Sequence, residues 1–350
     1  MMKRTMIKEI KERDQVAGLY LVARKDMGLS KTGKAYVNLR LMDSTGSVEA
    51  RIWDNADALA ALFQKDDVVS IKGYAVAYQG GIQLNVNSIS AAPEGSYSVR
   101  EFLPASTRAP EEMMADLDAV IAGVGNPQIR ALLEAIFTDA DVRARFQTAP
   151  AAKVMHHPYL GGLLEHVLSI CGLASKVGSH YGKGVDVDLL ICGAILHDIG
   201  KIYELTYSKS FDYTDEGRLL GHITLGIALI DDKVKGIEKF DPALLVLIKH
   251  MILSHHGHLE FGSPKRPKTT EALILYYLDD LDAKVNAIES LKRDAHEAEN
   301  RWTGYQRIFE RYMYLGAREE ALDAAVPSVE DVSPRKDTLP LFKQPSETKA

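Results

Sequence analysis

Apolar and polar residues alternate with a period of two in several short runs before residue 92, whereas from residue 111 onward apolar residues recur at helical spacing. The front of the chain therefore reads as β-structure and the remainder as α-helical. Residues 16–24 form an apolar, β-prone run, and residues 25–34 (Lys25 through Gly28 and Gly33 to Lys34) interrupt it with turn formers. Residues 35–42 alternate as a strand, Asp43-Ser44-Thr45-Gly46 turns, and residues 47–53 run back to complete a hairpin. A short helix over 55–63 precedes strands at 67–78 and 82–89, which Gln79-Gly80-Gly81 separates.

Three strands, a helix and two strands is the element order of an OB-fold barrel, placed here at residues 1–92. Pro93, Gly95, Pro104 and Pro110 break the pattern, and 93–110 reads as a linker. Residues 111–150 form a helical connector of two helices, with Gly123-Val124-Gly125-Asn126-Pro127 between them, expected to pack on the domain that follows. Helices are expected at 163–181, 187–197, 220–235, 242–253, 270–290 and 300–324. Residues 151–325 are thus an all-α bundle, with a polar loop or small hairpin at 208–218. The Pro-rich, charged tail at 326–350 reads as disordered. The fold class is multidomain: an N-terminal all-β barrel, then an all-α domain.

Composition narrows the setting. Hydrophobic residues make up 46% and charged residues 26% of the 350 positions, as in soluble globular chains. No apolar run approaches the ~20 residues that span a bilayer, and the first fourteen positions hold no apolar signal core, so a cytoplasmic protein without a membrane partner is expected. Cys171 and Cys192 sit in apolar helical contexts and read as buried thiols. The formal net charge is -6, yet residues 1–40 hold ten Lys and Arg against four acids. Such a local basic face can bind nucleic acid on an acidic chain.

The chemistry concentrates where the apolar run Leu189 to Leu196 meets His197-Asp198. An imidazole and a carboxylate at the end of a buried helix are costly without a partner, and a metal ion is the most economical one. Ten of the eleven histidines lie between His156 and His258. His166, His222, His255, His256 and Asp279 complete a nitrogen and oxygen donor set without thiolate, which suits Mn, Fe, Mg, Co or Ni. The order His, His-Asp, His, His-His, Asp resembles the HD-domain metal phosphohydrolases. That resemblance implies a metal pair bridged by Asp198, with His166, His197 and Asp279 on one ion and His222, His255 and His256 on the other, and a catalytic role for His197, Asp198 and Lys201. On a helix neighbours point ~100° apart, so His197 and Asp198 should not share a face. His250 reads as a hydrogen-bonded helix residue, with facing the site as the alternative, His180, His258 and His296 read as surface residues, and His156 and His157, ahead of the first ligand helix, stay outside the ligand set, with lining of the entrance as the alternative. Asp282 is expected to orient ligands, and Asp280 to face solvent.

On the barrel, strands two and three offer Tyr36, Arg40, Arg51 and Trp53 as stacking faces and phosphate contacts, with Tyr74 and Tyr78 on the fourth strand. The competing assignment puts these aromatics in the barrel core. Lys265, Arg266 and Lys268 follow the His-His pair in a Pro-rich loop and either guide a polyanion inward or simply keep the loop soluble. An OB fold before an HD domain, with Gly221-His222-Ile223, Leu253-Ser254-His255-His256-Gly257, Gly262-Ser263-Pro264 and Leu278-Asp279-Asp280-Leu281-Asp282-Ala283-Lys284, resembles the YhaM family of bacterial 3′-to-5′ exoribonucleases over residues 16–315. The resemblance implies a 3′-to-5′ exonuclease on single-stranded RNA, with DNA a further candidate, using a divalent metal, typically manganese. Two alternatives are an HD phosphohydrolase of cyclic nucleotides or nucleoside phosphates, and a non-catalytic nucleic-acid-binding protein. A homo-oligomer is a further expectation, as is a peptide-groove partner for the tail cluster Thr338-Leu339-Pro340-Leu341-Phe342.

Overall fold

Alternation in the front segment closes a barrel because one face of every strand is apolar and must find the others. In the computed structural model, which describes residues 5–30, 32–78, 81–93, 95–153, 156–207, 211–294 and 301–316, five strands join in the order β1-β2-β3-β5-β4. They are β1 (Gln15–Leu29), β2 (Ala35–Asp43), β3 (Gly46–Ile52), β4 (Val68–Tyr78) and β5 (Gly81–Ala91), with helix α1 (Ala56–Ala60) between β3 and β4. Among the described barrel strands, β3 and β5 alone pair in parallel. Tyr20, Val37, Leu39, Leu41, Ile52, Ile71 and Leu84 fill the interior.

The stretch read as a turn from Lys25 is strand as far as Leu29, paired Lys25↔Leu39 to Leu29↔Ala35 with a bulge between Val22 and Arg24. Its first half pairs with β4, Gln15↔Tyr74 to Leu21↔Val68. A strand that changes neighbours needs the bulge to bend it, and its exposed second half carries the polar residues that resemble a turn. Gly28 leaves room for the ring of Tyr36, its cross-strand partner, since a Cβ would lie 2.6 Å from Cζ.

The helices are α2 (Pro110–Ala122), α3 (Pro127–Phe137), α4 (Ala140–Thr148), α5 (Gly162–Tyr181), α6 (Val187–Leu196), α7 (Lys201–Glu204), α8 (Asp215–Val234), α9 (Pro242–Ser254) and α10 (Thr270–Asp294). Asp139 accepts from the N–H groups of Asp141 and Val142 and starts α4, so the connector holds three helices where two were expected. Apolar residues of α2 to α4, among them Leu117, Leu133 and Phe146, share one core with α5, α6, α9 and α10. Cys171 and Cys192 are buried in it, and burial raises the Cys171 thiol to about 12. α8 begins five residues before the expected start and kinks at Gly221, whose φ is 74°. The loop before it holds a two-stranded hairpin, β6 (Leu205–Thr206) with β7 (Asp212–Tyr213).

The linker is packed rather than loose. Phe102 and Leu103 are buried against Leu21, Val68 and Ala92 of the barrel and Leu160 before α5. The chain divides into two units, Met1–Glu289 and Ser290–Ala350. In the second, residues 301–316 carry the bridges Trp302↔Tyr314 and Gln306↔Arg311 instead of the helix expected over 300–324. Gly304 weakens a helix there, and rings that pair across the bridges (Trp302 with Tyr314 at 5.1 Å, Tyr305 with Tyr312 at 5.5 Å) favour the hairpin. His296, the tail at 326–350 and its Thr338 to Phe342 cluster lie outside the described residues. Among the described residues no helix is long and apolar enough to cross a membrane.

Candidate metal centre and nucleic-acid interface

α6 is apolar on every side and stops at Leu196, so His197 and Asp198 lie in the turn before α7. The turn removes the angular separation expected of helix neighbours: His197 Nε2 is 3.4 Å from Asp198 Oδ2. Gly200 allows the turn to pass close under α8, since a Cβ there would stand 1.9 Å from the His222 carbonyl oxygen.

Each histidine is fixed by its other nitrogen. Nδ1 of His197 is 2.9 Å from the Ala194 carbonyl and Nδ1 of His255 is 2.7 Å from that of Ile252. A carbonyl only accepts, so both Nδ1 atoms carry the hydrogen and both Nε2 lone pairs point inward. His222 donates from Nδ1 to Glu204 Oε1 at 3.0 Å, and its backbone N–H donates to the same oxygen. His166 Nδ1 lies 2.8 Å from Asp282 Oδ2, and Ser169 donates to the other carboxylate oxygen.

The inward-facing atoms converge. His166 Nε2 is 3.3 Å from both His197 Nε2 and Asp279 Oδ1. Asp198 Oδ1 is 3.5 Å from His222 Nε2 and 3.6 Å from His255 Nε2, and all three atoms are buried without a hydrogen-bond partner. Buried acceptors facing one another are costly, and a cation among them removes the cost. The donor atoms of His166, His197 and Asp198, and separately of His222, His255 and His256, lie within 4.8 Å of one another. These residues fit divalent metal, with Asp198 between the two groups.

Electrostatics favour positive charge at the cluster, carried on His166 by a proton that a metal would have to displace. Burial disfavours the charged form of His166, but the Asp279 and Asp282 carboxylates outweigh it and raise its pKa to about 9. Burial would lift the Asp198 carboxyl, yet Lys201 and His197 hold it well below the usual carboxylate range. Burial, reinforced by His255, lowers His256 to about 4. Lys201 Nζ is 2.6 Å from Asp198 Oδ2, and the pair lines a pocket of about 260 Å³ beside the cluster.

Several residues of the site stand outside the ligand set expected from the sequence. His156 lines the pocket with Nε2 3.8 Å from Asp279 Oδ1, and His157 Nε2 is 3.8 Å from Asp282 Oδ2. Both have left-handed backbone, φ 70° and 54°, a strained state that tends to mark functional positions. The His-His dipeptide upstream of His166 was the available signal. Glu204, which holds His222, had none, and neither did Phe261 and Tyr276 at the pocket. His250 accepts from the Lys268 backbone N–H, a structural role. Lys265, Arg266 and Lys268 are exposed, and none lines the pocket.

On the barrel, Tyr36 and Trp53 face outward with ring centroids 4.9 Å apart, while Tyr20 and Phe63 are the buried aromatics of its core. The Arg51 guanidinium lies 5.6 Å from the Tyr36 ring, 5.3 Å from Trp53 and 4.9 Å from Tyr78. Trp53 is oriented by donating Nε1–H to Asn85 Oδ1. Arg40 is exposed on the same face but donates to Ser47 and makes no contact with these rings among the described residues.

Known proteins match both parts. The HD domain family model matches residues 163–284, and the OB-fold nucleic acid binding domain model matches residues 16–92. Over 277 residues the chain is 36% identical to a 3′-5′ exoribonuclease YhaM of Geobacillus sp. (strain WCH70), covering 79% of this chain and 84% of that protein. It is 34% identical over 290 residues to the protein of the same name in Bacillus subtilis (strain 168), covering 83% and 90%. Among solved structures, the second OB-fold domain of replication protein A from Methanococcus maripaludis overlays 27% of this chain and all of that domain, with 20% identity and a TM-score of 0.23.

Proposed function

The chain belongs to the YhaM family of 3′-5′ exoribonucleases, and on that premise we propose that it shortens single-stranded RNA from the 3′ end at the His and Asp cluster, with manganese as the metal. The observation that carries the reading is the convergence of buried, partnerless Asp198 Oδ1, His222 Nε2 and His255 Nε2 beside an open pocket. His166, His197, Asp198 and Asp279 would hold one ion, and Asp198, His222, His255 and His256 a second. Ions so held would activate water and neutralise charge on a phosphodiester.

The protein's own groups do the positioning. The carbonyls of Ala194 and Ile252 and the carboxylate of Glu204 fix the tautomers of His197, His255 and His222, which turns their Nε2 atoms inward, and the Asp282 carboxylate orients the His166 ring. Lys201 uses one N–H on Asp198 and has further donors for a phosphate oxygen. The Tyr36, Arg51 and Trp53 face offers stacking and positive charge to the strand upstream, without base-specific groups. An OB barrel has no use for a cyclic nucleotide, so a polymer is the substrate that employs both parts of the chain.

The test is a 5′-labelled single-stranded RNA incubated with manganese or with chelator. A ladder that shortens progressively from the 3′ end, only with metal, is expected. Cleavage of a circular strand would show an endonuclease, and turnover of cyclic nucleotides alone would overturn the polymer reading.

A further inference from the structure

Phe261 is 66% exposed and lines the pocket beside the metal cluster. It belongs to no apolar core cluster. An exposed ring is ordinary by itself, but this one is held firmly. It closes the 3-10 turn Leu259–Phe261, where its N–H donates to the His258 carbonyl, and Gly262 then turns the chain with φ 89°. Ser263 is buried and donates to the Leu253 carbonyl at 3.1 Å, so the turn is tied back to the end of α9.

Tyr276, on α10 one turn before Asp279, lines the same pocket. Gly257 makes room for its ring, since a Cβ there would come within 2.3 Å of it. His258 meets Phe261 and Tyr276 edge-on, with centroids 5.4 and 5.8 Å away, and the two outer rings make no ring contact with each other among the described residues. Two braced aromatic rings therefore flank a pocket that also holds Asp198 and Lys201.

We infer that Phe261 is the stacking platform for the 3′-terminal nucleobase of the substrate strand, with Tyr276 as a second wall. The inference rests on the exonuclease reading: the last phosphodiester is one nucleotide from the strand's end, so when it lies at the cluster the terminal base must be housed in the adjoining pocket. A bare ring suits this duty because every base has a π face, and stacking holds any of them without reading sequence. Of the lining, Asp280 is already paired with Lys284 at 2.6 Å.

The experiment uses the full chain and single-stranded RNA carrying 2-aminopurine at the 3′ terminus or at the 5′ terminus, in chelator so that nothing is hydrolysed. Stacking quenches this base. Quenching of the 3′ probe alone is expected, lost in Phe261→Ala together with about tenfold weaker binding, the effect of one base–aromatic stack, and kept in Phe261→Trp. Equal quenching of the 5′ probe, no quenching by the unmodified protein, or full quenching by Phe261→Ala would each overturn the platform. If the 3′ probe is quenched through Phe261 but manganese then produces no shortening, the platform stands and the exonuclease reading falls.

Discussion

Glu204 contributes no atom to the pocket lining, yet its Oε1 takes both the side-chain and the backbone N–H of His222 and so decides where that imidazole points. Burial would raise the carboxyl, but His222 outweighs this and lowers it, so an anion faces the ring. Loss of such a support costs metal affinity about 10–100-fold. Glu204→Ala should therefore bind manganese that much more weakly in a calorimetric titration, while Glu204→Gln, which keeps an acceptor, should lose less; equal affinities for all three proteins would remove Glu204 from the site. The direct ligand candidates could be read from the sequence because the chemistry demands imidazole and carboxylate in buried apolar surroundings. Glu204 could not, because its role exists only through the contact with His222. His156 and His157 were legible only as neighbours of the first ligand helix, because left-handed backbone leaves no periodic trace.

The elements around the site are set by how closely backbones approach. A Cβ on Gly200 would stand 1.9 Å from the His222 carbonyl oxygen and 2.6 Å from the Gly226 amide nitrogen. Both obstacles are main chain of α8, so the helix carrying His222 would have to move. Gly200→Ala should cost about 2–3 kcal/mol, seen as a melting temperature several degrees lower, and should weaken metal binding as well. Gly184→Ala, where a Cβ meets nothing within 4 Å, should melt with the unmodified protein. A Gly200→Ala protein that melts and binds metal normally would show that α8 yields freely. At this scale the sequence reading followed periodicity and failed where long-range pairing decides: the second half of β1 looks like a turn until β2 is beside it, and residues 301–316 look helical until Trp302 meets Tyr314. The extra break at Asp139 was written in the sequence as an N-cap acid, but only against a strong apolar period.

The chain is acidic overall yet basic over residues 1–40, and on the proposed function one strand would engage the molecule at two places. The buried Phe102 and Leu103 tie the barrel to the helical part, so a strand on the barrel face and an end in the pocket belong to one body. Arg51 is the most telling position, because its guanidinium is shared by the Tyr36, Trp53 and Tyr78 rings and pairs with no carboxylate among the described residues. A cation so placed is free to neutralise a phosphate, which releases counterions and makes binding fall with salt. Arg51→Ala should thus weaken binding of a long single strand at all sequences and reduce the slope of log K against log salt by about one. Trp53→Ala should weaken it through lost stacking, by roughly 1–3 kcal/mol per base, with the slope retained. Both losses should be far larger on a long RNA than on a dinucleotide, which reaches the pocket without the barrel. If the slope is unchanged in Arg51→Ala, or the dinucleotide suffers equally, the strand does not run over this face, and the cluster around Arg51 is a packing feature of the barrel's outer surface.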